Sequence, residues 1–243
     1  MNKRFSYIII PVPRSRPPER LREVISAATR VFADKGYTRT QMADIARALR
    51  MSPGALYGYA ESKDALFHWC IEAAVDRGVL DEASLPLPAV SQKETISRVR
   101  QHMDAMLKRE SALARAFMTR KPDDIAEELS EVIGELYDGT YATRHLQAII
   151  ERSAQEMPEL FDAFYHRMRR PVIAAVAAYL HMRMGDGYIR TLIDVPTTAR
   201  LVIETQAWFA RHRQGDPDSA DIEDSTARAT VIDVLRQGLL PPS

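Results

Sequence analysis

The stretch Met51–Phe67, "MSPGALYGYAESKDALF", decides how this chain is read. Ser52-Pro53 is a strong helix opening, a capping hydroxyl followed by proline at the first helical position. Yet Gly54 and Gly58 follow within a turn and a half. Glycine inside a helix costs about 0.5–1 kcal/mol relative to alanine. The same few residues gather Tyr57, Tyr59 and Lys63. A short helix of weak propensity whose small residues sit at its amino end is suited to pressing its backbone against something else. A second start signal follows at Ser62, with apolar residues Leu66, Cys70, Ile71 and Ala74 at helical spacing behind it.

Upstream, Pro11, Pro13, Pro17 and Pro18 block helix before Glu19. Residues 1–16 therefore read as a disordered basic arm. Leu21, Val24, Ile25, Ala28, Val31 and Phe32 then recur on one helical face, and Lys35-Gly36 closes that helix. Thr40 reads as the cap of a second, short helix whose buried face is Met42, Ile45, Ala46 and Leu49. With the Ser52 helix close behind it across Arg50-Met51, this is a helix-turn-helix pattern. The second helix of such a pair enters the major groove of DNA. The candidate DNA contacts are Thr40, Gln41, Ser52, Pro53, Gly54, Ala55, Tyr57, Tyr59 and Lys63. Gln41 and Ala55 face the groove, the tyrosine hydroxyls reach phosphates, and Lys63 sits where a phosphate offsets its unfavourable place at a helix start.

Charge points the same way. Residues 1–60 hold eleven Lys and Arg against four acids, whereas residues 81–243 hold 20 basic and 25 acidic residues, on a chain of zero net charge. A basic amino-terminal segment on an acidic body fits a polyanionic partner for the first part alone.

The segment Ala27–Phe67, "AATRVFADKGYTRTQMADIARALRMSPGALYGYAESKDALF", resembles the DNA-binding domain of the TetR family of bacterial transcriptional regulators. The resemblance rests on Phe32 and Gly36-Tyr37, Thr40, Ile45-Ala46, then Ser52, Gly54, Leu56 and Tyr57, and finally Lys63 and Leu66. Three positions depart from it. Arg50 stands where the family has a turn glycine, Gln41 replaces a second threonine, leaving Thr40 to cap alone, and Ala60 replaces a phenylalanine, leaving that corner less well packed. The resemblance implies an all-α protein. A small three-helix DNA-binding domain with its connecting helix spans residues 17–80, and a larger helical effector-binding and dimerisation domain spans 91–243. It further implies a homodimer on double-stranded operator DNA, assembled through the last two helices and released by a small-molecule effector. A rival reading is a helical ligand-binding or interaction protein whose helix-turn-helix no longer binds DNA, and Arg50 and Ala60 are the features that favour it.

The rest of the chain reads as helix with few interruptions and no strands. Residues 81–91 form a connector, and Ser91 with Glu94 makes a capping box. Further starts are expected at Asp123, Gly139, Pro158, Asp194 and Ile222, with Pro171 kinking or starting a helix. Met103, Met106, Phe117, Tyr141, His145 and Phe164 are candidate effector contacts, set against ordinary core packing. The six histidines show no ligand pairing and Cys70 is the single cysteine, so no metal site, disulfide or cofactor is expected. Phosphate-loop, nucleophile-elbow and zinc-protease motifs are absent from the sequence, which reads as a non-enzyme. No apolar run is long enough to cross a membrane, and the expected location is the cytoplasm.

Overall fold

The computed structural model of the chain describes residues 18–242. The expected arm at 1–16 lies outside the described residues. Among the described residues twelve α-helices follow in order. The first four are α1 (Pro18–Lys35), α2 (Met42–Ala48), α3 (Pro53–Tyr57) and α4 (Lys63–Val75), closed by a 3-10 turn at Arg77–Leu80. Then come α5 (Gln92–Leu107), α6 (Ala112–Met118), α7 (Ile125–Ala142), α8 (Arg144–Ala154) and α9 (Pro158–Phe161). The last three are α10 (Arg170–Gly185), α11 (Val195–Ala210) and α12 (Asp224–Leu239). Among the described residues the one β pairing is an isolated parallel bridge between Ala60 and Leu87.

Local chemistry sets most of these boundaries. Side-chain oxygens of Ser52, Ser62, Ser91 and Asp194 each accept from the backbone N–H three residues on, at 2.8–3.2 Å. Several starts and stops differ from expectation. Gln41, not Thr40, precedes the first residue of α2, and its N–H donates to the Asp44 carboxylate at 3.0 Å. Asp124 rather than Asp123 caps α7, accepting from Ala126 and Glu127. α7 runs through Gly139, which starts no new helix; buried Leu129, Val132, Ile133 and Tyr137 hold the helix on its core face. α4 ends at Val75 because Asp76 turns extended and its carboxylate caps Gly78 at 2.8 Å. At Pro171 the helix does not break. The chain passes from α9 through a π-helical stretch, Asp162–Arg169, into α10, with the Arg170 N–H reaching back five residues to Tyr165.

Arg50 takes φ = 53°. It occupies the position just past the α2 cap, where Met51 N–H bonds Ala46 O at 3.0 Å and Arg50 N–H bonds Arg47 O at 3.1 Å. That pair of bonds needs a left-handed residue, and glycine suits it best. A left-handed non-glycine residue costs roughly 1–2 kcal/mol, partly offset by the greater freedom glycine brings to the unfolded chain. Arg50→Gly is therefore expected to raise stability by about 0.5–1 kcal/mol, read as a higher urea midpoint at unchanged slope.

Two apolar clusters hold the molecule. The first joins α1–α4 to α5, α8, α9 and the π-helical stretch through Phe32, Ile45, Leu56, Phe67, Ile71, Met103, Ile149, Leu160 and Phe164. The second joins α6 and α7 to α10–α12. The first crosses the boundary expected between residues 80 and 91. α8 docks directly beneath the end of α1, where the Tyr37 N–H donates to Ser153 Oγ at 3.2 Å and Arg152 Nε donates to Asp34 O at 2.8 Å. Between α4 and α5, Arg98 grips the buried Glu72 carboxylate with two bonds of 2.8 and 2.9 Å, which hold that carboxyl below the ordinary range. Beside it, burial lowers the pKa of His68, whose Nδ1 lies 3.2 Å from Thr95 Oγ1. Cys70 is buried in the first cluster, and burial pushes its thiol up to about 12. The second cluster encloses Arg183, fully buried. It donates to both oxygens of Glu128 at 2.8 and 2.7 Å and to the carbonyls of Ala116 and Thr119 at 3.0 and 2.9 Å.

Candidate nucleic-acid interface

α2 and α3 pack against each other and share one hydrophobic floor. Ile45 and Ala46 of α2 and Leu56 of α3 are fully or almost fully buried. With Leu56 turned in, Pro53, Gly54, Ala55 and Tyr57 lie outward, and Tyr57 is half exposed. Gly54 answers the question posed by the sequence. A Cβ built at that position meets nothing within 4 Å, and its φ is not one that requires glycine. Neither an internal contact nor backbone strain accounts for a glycine here, and the face in front of it is open. Gln41 and Ser52 are exposed on the same rim.

Two of the nine expected contacts lie elsewhere. Thr40 is buried and donates from Oγ1 to Gly36 O at 2.6 Å, holding the α1–α2 turn rather than facing solvent. Tyr59 is also buried, with its ring in the first cluster and its hydroxyl by the Arg20 guanidinium. Lys63 is intermediate. Its Nζ donates to Tyr37 O at 3.0 Å and lies 4.3 Å from the centre of the Tyr37 ring. That ring packs on Phe67, its hydroxyl bonds Asp64, and burial pushes that hydroxyl up to about 12. Lys63 thus starts from a fixed position with donors to spare.

Among the cations of this region Lys35 and Arg47 share Asp44, Arg22 holds Asp81, and Arg39 lies 3.5 Å from Glu156. Arg50 is exposed and carries no such partner among the described residues. It stands two residues before Ser52, a free positive charge on the rim. The sequence held the signal, a lone cation in the turn between the two helices, but there it reads as a defect of the turn. The corner at Ala60 is not loosely packed either. Leu87 of the connector is fully buried against it.

The six expected effector contacts do not line one cavity. Met103 and Phe164 are core residues of the first cluster, Tyr141 packs against the second with its hydroxyl 2.5 Å from Asp224, Met106 is half-buried, and Phe117 and His145 are exposed. Two open surface hollows lie elsewhere. One of about 560 Å³ is lined by Glu204, Thr205, Trp208, Phe209 and His212. Another of about 500 Å³ lies under the loop from Arg213 to Asp224. Among the described residues no three His, Cys, Asp or Glu side chains are placed to hold a metal ion, and no helix is long and apolar enough to cross a membrane.

A short helix with an open, small-residue face, set across a tight turn from a second helix and flanked by a free arginine, is the geometry of a helix-turn-helix DNA-binding domain. Residues 24–70 match the model of the bacterial regulatory proteins of the tetR family. It is similar to the HTH-type transcriptional regulator HbdR of Aromatoleum sp. (strain CIB), with 36% identity over 58 residues. That match spans 24% of this chain and a quarter of that relative's length. Among solved structures it is similar in fold to the ketosteroid transcriptional regulator KstR2 of Mycobacterium tuberculosis. The TM-score is 0.51 at 14% identity, over 93% of this chain and 98% of that one. It is likewise similar to SCO3833 of Streptomyces coelicolor A3, with a TM-score of 0.51 and 19% identity over 88% and 87%. These likenesses extend the shared all-helical architecture beyond the matched domain.

Proposed function

We propose that the protein is a homodimeric transcriptional repressor that binds a palindromic operator and is released from it by a small molecule. The observation that carries the DNA-binding part is Gly54, a helix glycine with open space in front of it, between the free charge of Arg50 and the exposed Tyr57. Arg50, Ser52 and Tyr57 meet phosphates, while Gln41 and Ala55 face the bases. Two such heads read half-sites one helical turn, roughly 34–36 Å, apart, or further where two dimers share an operator. Dimerisation is supported by an apolar stripe left open on the last two helices, Leu201 and Trp208 on α11 and Val234 on α12. Four such helices from two copies form a packed bundle.

The test is operator titration by fluorescence anisotropy at several salt concentrations, using DNA that flanks the gene. Removing one phosphate contact per head reduces the salt slope by about 1 per half-site. Arg50→Gly is expected to do so while making the protein more stable. An unchanged slope would remove Arg50 from the interface. Leu201→Asp, by placing a charge in the seam, is expected to leave a folded monomer in sedimentation that binds DNA at least tenfold more weakly. A dimer that survives this change would place the seam elsewhere.

A further inference from the structure

The connector between the expected domains does not run free. After the turn at Arg77–Leu80 the chain crosses back over the DNA-binding unit and pairs with the loop that follows α3. Leu87 N–H donates to Tyr59 O at 2.7 Å, Glu61 N–H donates to Leu87 O at 3.0 Å, and Ala89 N–H donates to the Glu61 carboxylate at 2.8 Å. Between the exposed prolines 86 and 88, the Leu87 side chain is fully buried beside Ala60, itself fully buried. A small residue at 60 makes room, and a large one from 27 residues further along the chain fills it. Four residues beyond Leu87, Ser91 caps α5, so the segment that plugs the DNA-binding unit is also the lead-in to the first helix of the larger part.

We propose that residues 85–91 act as a strap in which Leu87 is a positioning residue. It fixes the end of the DNA-reading helix α3 to the start of α5, and so sets the distance and angle at which the two heads of a dimer meet their half-sites. A side chain that merely filled the core could have come from position 60 itself. Supplying it from the connector, with three hydrogen bonds, ties the end of α3 itself to the body, beside the docking of α8 under α1 and the grip of Arg98 on Glu72 of α4. The inference rests on the DNA-binding reading above.

The experiment separates filling from strapping. In Leu87→Ala with Ala60→Phe the volume is restored from within the unit while the strap keeps its backbone bonds and loses its side-chain anchor. A second variant, Glu61→Ala, removes one strap bond from an exposed side chain and leaves the core untouched. Each full-length protein selects from a pool of duplex DNA with a fully randomised core, and the spacing between recovered half-sites is read by sequencing, with thermal midpoints in parallel. The expected result is one dominant spacing for the unaltered protein and a spread over neighbouring spacings for the double variant at a near-native midpoint. Glu61→Ala is expected to shift the same way, less strongly. If the double variant is folded and keeps the single spacing, Leu87 is a core plug and the strap is overturned. If the double variant does not fold, Glu61→Ala decides, and a native spacing profile from it overturns the strap. If the unaltered protein recovers no sequence, the DNA-binding reading itself falls, and the strap with it.

Discussion

Gly54→Leu is expected to leave the fold intact and weaken operator binding by about a hundredfold or more, roughly 2.8 kcal/mol at 1.4 kcal/mol per tenfold. The position is unusual in separating the two effects. In the free protein a side chain there projects into empty space, and the backbone angles are ordinary. Folding therefore loses nothing. Gly54→Ala should even stabilise α3 by about 0.5–1 kcal/mol, the usual glycine penalty in a helix. On DNA the same branch would stand between the helix backbone and the groove, and close approach could not be recovered without tilting α3 off its floor of Ile45, Ala46 and Leu56. Anisotropy titration beside a urea unfolding curve reads both quantities from one preparation. A Gly54→Leu protein that binds as tightly as the original would show that α3 does not approach DNA by this face. One that unfolds would show that the open space is not open.

The largest expected loss of stability lies far from DNA, at Arg183→Ala. The arginine is fully buried, and its removal leaves the largely buried Glu128 carboxylate without its bidentate partner and strips the carbonyls of Ala116 and Thr119 of a donor. Breaking a buried pair from one side costs about 3–5 kcal/mol, a large part of the 5–15 kcal/mol typical of a whole domain. Removing the polar set together is a different matter. Arg183→Met with Glu128→Leu and Tyr179→Phe deletes the charges and also the Tyr179 hydroxyl, which donates to Glu128 at 2.9 Å. Replacing a buried pair by apolar groups is often neutral or better, so the triple variant is expected to regain most of the loss. Equilibrium urea unfolding of the two variants checks this. A single-variant loss below about 1 kcal/mol, the range of an exposed pair, would mean that water reaches Glu128.

The helix-turn-helix was readable from the sequence because its grammar is local. Ser52-Pro53, Ser62 and Ser91 mark helix starts by groups that bond three residues away, and nothing distant can alter that. Where two local solutions compete, sequence reading chose wrongly. Thr40 and Gln41 could each precede α2, and what decides between them is the buried bond from Thr40 to Gly36, which depends on the α1–α2 turn. Tyr57 and Tyr59 look equivalent in one dimension. Only the placement of Leu56 on the core, with the chain turning at Gly58, sends Tyr59 inward and leaves Tyr57 outside. Ala60 looks like a weakness for the same reason, since its complement, Leu87, arrives from a proline-flanked connector with no periodicity to announce it. The effector contacts were the least legible. A list of methionines and aromatics has no order until helices pack, and here packing sends Met103 and Phe164 to one core and Tyr141 to another.

The burial of Cys70 carries a practical consequence for measuring the spacing of the two heads. Its thiol is enclosed and raised to about 12, so at neutral pH almost no thiolate forms and alkylating reagents find nothing to attack. The natural chain can therefore be used without first deleting its cysteine. One cysteine introduced at an exposed site away from the proposed base contacts, such as Arg47, takes a spin label alone, and in a two-fold dimer it would report a single head-to-head distance. Pulsed electron resonance on that pair reads the separation of the reading heads directly, with and without DNA, in a protein whose interior is unchanged.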